Sequence, residues 1–185
     1  MKTDTKYLDY YEKTLTGGLI KVCQGAGVLK GSELMGSTDI DAKWEEYIKP
    51  YIEDAVGNFN QYPEAALGFA AFLGMAVAHN WDVDWAAHKD DPYQSYYGSS
   101  GWDDLDEHTM WDLLHLTKDY GKQLSDALDS CALATLGLIR HEQIEAETEL
   151  GFYVLSRSYT VMYKLGAAIE LERLGYKKVP VEKIV

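Results

Sequence analysis

Hydrophobic residues recur every three or four positions along most of this chain, the spacing that gathers them on one face of an α-helix. Leu8, Tyr11, Leu15, Leu19 and Val22 predict a first helix over residues 5–23. A second stripe predicts a helix over residues 38–59, with Thr38 and Asp41 at capping-box spacing. Pro50 is expected to kink or restart this second helix.

The third predicted helix is apolar on every side. It begins at Pro63, a residue favoured at the first helical position, and its longest apolar run is the fourteen residues 65–78. A helix without a polar face is surrounded by other helices, so residues 63–80 are predicted to form a fully buried central helix. Small residues recur every fourth position in it, at Ala66, Ala70, Gly74 and Ala78, and predict one face that approaches a neighbour closely.

A long periodic stretch follows over residues 103–139, with Ser100 and Asp103 at capping-box spacing. An unbroken helix of that length would extend about 54 Å, which is longer than a domain of this size is wide, so we expect an interruption near Gly121. The last helix is predicted over residues 144–174 and ends at Gly175. Residues 179–185 are interpreted as a short extended tail.

These elements predict an all-α, single-domain antiparallel bundle of about five to seven helices that spans residues 1–185. At 185 residues, of which 46% are hydrophobic, the chain is long enough for one well-packed core. The only two cysteines, Cys23 and Cys131, lie among apolar helical neighbours. We therefore expect them to be buried structural thiols and not a disulfide.

The formal net charge of −13 excludes some classes of partner. Nucleic acid is not expected, because its binding depends on Lys and Arg displacing counterions. A membrane span needs roughly twenty apolar residues, and the longest run here has fourteen. The N-terminus lacks the apolar segment of a signal peptide, so a cytoplasmic location is expected. A basic protein or a cationic small molecule remains compatible with this charge.

Residues 79–115 stand out in composition. This segment holds four of the five tryptophans, four of the five histidines and half of the sixteen aspartates, with Lys89 as its one basic residue. Aromatic rings, imidazoles and carboxylates together can line a binding pocket. The same residues can equally form an acidic surface over an aromatic core.

Metal binding is one hypothesis for this segment. His79 and Asp82 share a helix face, and His108, Asp112 and His115 are predicted to lie on one stripe of the fourth helix. Imidazole and carboxylate groups suit a divalent metal such as Zn, Mn or Fe. The alternatives are a buried histidine that pairs with one carboxylate, and a solvated polar face along the fourth helix.

Ligand binding by aromatic rings is a second hypothesis. Trp81 and Trp85 lie at the end of the third helix, and Tyr96, Tyr97 and Trp102 lie on the loop that follows. Such a loop could act as a lid or provide rings on which a sugar or a cation stacks. The alternative is a loop held to the bundle by its own aromatic side chains.

The sequence is compatible with two functions, which belong to different classes of protein. The first is a ligand- or metal-binding bundle with an acidic, aromatic-lined pocket between the third and fourth long helices. The second is an acidic protein-interaction module that binds a basic partner and has no catalytic activity. The first requires the aromatic and histidine side chains to converge, whereas the second requires the aromatic rings inside and the aspartates outside.

Overall fold

The protein is an all-α helical bundle, seen in a computed structural model that describes residues 4–59 and 61–178. Within these ranges there are six α-helices and no strand: α1 (Thr5–Gly25), α2 (Thr38–Phe59), α3 (Pro63–His88), α4 (Leu105–Glu107), α5 (Lys118–His141) and α6 (Glu149–Arg173). Two 3-10 turns, Tyr93–Tyr96 and Trp102–Asp104, and a π-helical turn, His108–Leu113, connect α3 to α5. The fold class and the helix count predicted from the periodicity are confirmed. The predicted extended tail lies outside the described residues.

The predicted central helix is α3. Every residue from Ala66 to Ala78 is buried, and α3 packs against α2, α4, α5 and most extensively α6. None of the helices in residues 4–59 and 61–178 combines the length and the apolar character that a membrane span requires. Near its end α3 is interrupted at Asp84, whose backbone is extended (φ −165°) and whose carboxylate accepts the Ala87 amide at 3.2 Å.

Two glycines allow α3 and α6 to touch backbone to backbone. A Cβ added to Gly74 would lie 2.0 Å from the carbonyl oxygen of Tyr163, and one added to Gly166 would lie 1.8 Å from that of Ala71. Both distances are far below any contact that a real Cβ makes. The close approach predicted from the small residues of the third helix is therefore confirmed at Gly74.

The helix ends differ in detail from the sequence-based expectations. Ser37, and not Thr38, caps α2, because its hydroxyl accepts the Ile40 amide at 3.1 Å. Pro50 lies inside α2, which continues through it to Phe59. The last helix begins at Glu149 and not near residue 144, because the Thr148 hydroxyl caps it by accepting the Gly151 amide at 3.0 Å.

The fourth predicted helix differs most from the structure. Ser100 and Asp103 do not form a capping box: the Ser100 amide donates to the Asp104 carboxylate at 2.8 Å, and α4 begins only at Leu105. The helical structure is interrupted between Leu113 and Lys118, where α5 begins, and not near Gly121. Gly121 lies in the first turn of α5, and the Trp111 ring occupies the space where a side chain at this position would be.

Candidate functional site

The loop after α3 is attached to the bundle by its tyrosines. Tyr93 and Tyr96 are each only 3% exposed. The Tyr93 hydroxyl donates to the Asp54 carboxylate of α2 at 2.8 Å, and the Tyr97 hydroxyl donates to the same oxygen. Partial burial and this carboxylate raise the pKa of Tyr97 to about 12. The loop is held to α2, as the alternative to a mobile lid predicts.

The remaining rings of the segment extend this packing. Trp102 is 8% exposed and lies 4.8 Å from the Phe69 ring and 6.3 Å from the Tyr51 ring, measured between centroids. Trp81 and Trp85 are half-buried against the core, and the Trp81 indole N–H donates to Asp39 at 3.3 Å. Of the five aromatic residues predicted to bind a ligand, Tyr96 and Trp102 are thus core residues, whereas Trp81, Trp85 and Tyr97 are partly accessible. Their role in ligand binding stays a prediction.

His79 lies at the junction of α3 and α6, beside two residues that sequence reasoning did not single out. Glu170 is fully buried and accepts two hydrogen bonds from the Arg173 guanidinium, at 2.6 and 3.0 Å. His79 Nδ1 is 4.0 Å from the Glu170 carboxylate, and among the described residues it has no hydrogen-bond partner. A glutamate followed three residues later by an arginine, within the apolar end of the last helix, was the available signal.

The charges around His79 favour its neutral form. Burial lowers the pKa of His79, and the positive charge of Arg173 lowers it further, while the negative charge of Asp82 opposes part of this shift. Burial likewise raises the pKa of Glu170, while the Arg173 bonds oppose that rise. His79 Nδ1 thus lies beside the buried Glu170–Arg173 ion pair and has no hydrogen-bond partner among the described residues, which is an arrangement typical of a structural histidine.

The other predicted metal ligands have separate partners. The Asp82 carboxylate accepts the Tyr176 hydroxyl at 2.6 Å, and His108 Nδ1 lies 3.1 Å from the Asp112 carboxylate. His115 lies outside any helix, in a left-handed backbone conformation (φ 51°). Over residues 4–59 and 61–178, no three His, Cys, Asp or Glu side chains are grouped so that they could hold a metal ion.

The stripe predicted for the fourth helix does not form. His108 and Asp112 belong to the π-helical turn, whereas His115 belongs to the loop after it. A π turn has more residues per turn than an α-helix, and His115 lies beyond the end of this turn, so His115 is not on the α-helical stripe that the sequence predicts. The structure therefore joins His108 to Asp112 and separates both from the regular register of α5.

The carboxylates of this segment lie at the surface. We define the acidic face as the exposed side chains of Asp103, Glu107 and Asp112, which surround Trp111 along the chain. The sequence between Lys89 and Lys118 contains no lysine or arginine, and of the three carboxylates Asp112 lies beside a histidine, with His108 Nδ1 3.1 Å away. Asp82 and Asp84, at the end of α3, are exposed as well.

Trp111 is an exposed ring that precedes Asp112 and follows Glu107 by four positions in the sequence. Its side chain is 39% exposed, and its other edge lies over Gly121 of α5, where a Cβ would be 2.4 Å from the ring. Among the tryptophans of the described residues it is the one classed as exposed. The ring is held in place on one side and open to solvent on the other, which suits an aromatic contact with a partner.

Compared with protein-family models, with curated proteins and with solved structures, the chain shows no significant match.

Proposed function

We infer that the protein is an acidic interaction module that binds a basic partner through the acidic face. The observation that supports this inference is the division of one segment between interior and surface. The rings of Tyr93, Tyr96 and Trp102 are core, whereas most of the carboxylates of the same segment are exposed. A small-molecule pocket would need the rings to remain accessible, and here they pack against the Tyr47 and Tyr51 rings of α2.

Trp111 indicates which side chains the partner would bring to the acidic face. A tryptophan ring attracts a guanidinium or ammonium group placed over its face, and neighbouring carboxylates add a charge-assisted contact. Glu107 and Asp112 are within one helical turn of this ring along the chain. The partner is accordingly a segment rich in Arg or Lys that places at least one cationic side chain on Trp111.

A titration with a synthetic Arg- and Lys-rich peptide tests this inference. Binding is measured by calorimetry and by the tryptophan fluorescence, at low and at high salt. We expect binding at about 0.01 M salt that weakens at least tenfold by about 1 M, because the screening length falls from about 30 Å to about 3 Å. Trp111→Phe should weaken binding about two- to fivefold and remove most of the fluorescence change.

Two triple variants separate a specific site from general attraction to an acidic protein. Asp103→Asn, Glu107→Gln and Asp112→Asn together neutralise the acidic face. The control neutralises Glu145, Glu147 and Glu149, which are also exposed but follow the far end of α5. Because α5 has 24 residues, its two ends are about 36 Å apart.

Both triple variants carry the same net charge. We expect the first to lose at least tenfold in affinity and the control to stay within about twofold of the wild type, since charges beyond the screening length contribute little. Equal losses in the two variants, or binding that is indifferent to salt, would contradict a binding site at the acidic face.

The metal and small-ligand hypothesis stays a prediction beside this proposal. Metal analysis of protein purified without a histidine tag tests it directly. Stoichiometric Zn, Mn or Fe that is lost in His79→Gln or His108→Gln variants would support it, and a metal content unaffected by both variants would contradict it.

A further inference from the structure

The two cysteines, which are far apart in the sequence, are neighbours in the core. Cys23 lies on α1 and Cys131 lies on α5, and their sulfur atoms are 3.5 Å apart. Both residues are 0% exposed, and they are the only cysteines in the chain. From the sequence alone the two appear as separate apolar side chains, because 108 positions divide them.

We propose that Cys23 and Cys131 are a disulfide-forming pair, oxidised by hydrogen peroxide to a covalent link between α1 and α5. A disulfide has a sulfur–sulfur bond of about 2.05 Å, so the two atoms must approach by about 1.5 Å. The two helices are already in direct contact. Small side-chain rotations, together with a slight backbone adjustment, can supply a movement of that size.

Either sulfur can be the donor in the thiol–thiol hydrogen bond, which shifts the pKa values of the two thiols in opposite directions. The bond from Cys131 lowers the pKa of Cys23, while this bond and burial raise the pKa of Cys131. The thiolate is the attacking species in thiol oxidation, so Cys23 reacts first.

The reaction proceeds in two steps. The Cys23 sulfur attacks one peroxide oxygen, the O–O bond breaks, and a sulfenic acid and one water result. The Cys131 sulfur then attacks the Cys23 sulfur, the S–O bond breaks, and a second water leaves with the remaining proton. The two thiols lose two electrons in total, and the peroxide accepts both.

Access for the oxidant is provided at the end of α1. Cys23 lies in the last turn of this helix, which ends at Gly25. Gly27 follows with a left-handed backbone (φ 76°), and the Val28 amide bonds back to the Cys23 carbonyl at 3.1 Å. Helix termini open more readily than helix centres, so peroxide can reach Cys23 by local opening of this turn.

The link would stabilise the fold, because it closes a loop of 108 positions in the unfolded chain. The closed loop restricts the unfolded ensemble. For a chain of this length we expect a rise in the melting temperature of roughly 5–15 °C. Reduction with dithiothreitol should reverse the rise.

The experiment treats the folded full-length protein with hydrogen peroxide and follows its intact mass, its free thiols after denaturation and its melting temperature. We expect the loss of two hydrogen atoms per molecule, a peptide that contains Cys23 joined to Cys131, and a higher melting temperature. Cys23→Ala and Cys131→Ala are the controls, each with one thiol, and neither should gain stability. If one of them fails to fold, the other and the peptide map of the wild type still decide.

Three outcomes would overturn the proposal. The first is two free thiols that persist while a small thiol in the same solution is fully oxidised. The second is oxidation of the cysteines to sulfinic acid without a link. The third is a disulfide between two molecules and not within one.

Discussion

The backbone contact between α3 and α6 can be tested by replacing a glycine that allows it. Gly166→Ala adds one methyl group whose position lies 1.8 Å from the Ala71 carbonyl oxygen, which is 1.6 Å short of the 3.4 Å at which ordinary contact begins. Both atoms belong to helix backbones or are fixed to them, so no side-chain rotation relieves the overlap. The two helices must separate locally by about that distance.

The cost follows from the packing that this separation loses. A gap of 0.5–1 Å already forfeits a quarter to a half of a van der Waals contact, and overpacking a core typically costs about 1–3 kcal/mol. A backbone clash belongs at the upper end of that range. Alanine also gains about 1 kcal/mol of helix propensity over glycine, so the net loss in unfolding free energy should be about 2 kcal/mol.

Gly17→Ala provides the matched control. Gly17 is likewise inside a helix, is exposed, and has nothing within 4 Å of an added Cβ. This variant should gain about 0.5–1 kcal/mol, because the propensity gain is unopposed. The two alanine variants therefore move stability in opposite directions, and their difference isolates the helix contact.

Thermal and urea unfolding, followed by circular dichroism, measure both effects. We expect Gly166→Ala to lower the melting temperature by roughly 4–8 °C. Gly74→Ala should behave similarly, since its Cβ would meet the Tyr163 carbonyl at 2.0 Å. The double variant should lose less than the sum, because one separation of the helices relieves both clashes. A Gly166→Ala protein as stable as the wild type would refute the backbone contact.

Two further predictions concern buried polar groups. Tyr51→Phe removes a hydroxyl that donates to the Ala66 carbonyl and should lower the unfolding free energy by about 1–2 kcal/mol. Tyr159→Phe removes a buried hydroxyl without a partner among the described residues and should be neutral or stabilising. Urea unfolding that ranks the stabilities of the two variants in the opposite order would contradict this expectation. Because burial and Arg173 lower the pKa of His79, the unfolded chain takes up that proton first, so stability should fall as the pH falls through the histidine range. His79→Gln should flatten this slope, and an unchanged slope in urea unfolding across that range would show that His79 does not cause it.

Much of the fold could be predicted because each long helix carries its own periodic signal. The apolar run of α3 identified the centre of the bundle without any knowledge of its neighbours. The small residue at Gly74 also predicted a close approach, although the sequence could not say that Gly166 of α6 would be the other half of the contact. Local patterns identify an element and its buried face, but not its partner.

The site could be predicted less well, for a physical reason that differs from residue to residue. His108 and His115 were expected on one helical line, and a π turn followed by a left-handed residue separates them. Tyr93 and Tyr97 were compatible with a lid, and only Asp54, some forty positions earlier, holds them to α2. Cys23 and Cys131 show the same limitation, since proximity over such a separation depends on the packing of α1 against α5.

The composition of the core bears on where a partner can bind. The chain has 14 tyrosines and 4 phenylalanines, and many tyrosines are buried. Several of their hydroxyls bond to groups on other helices: Tyr11 is 2.6 Å from Ser158 between α1 and α6, and Tyr163 donates at 2.7 Å to the Ile40 carbonyl of α2. Phenylalanine would fill the same volume without fixing which positions face each other. Because these hydroxyls are directed into the bundle, they hold its helices in register, and the basic partner that we propose would contact the exposed carboxylates and Trp111 instead.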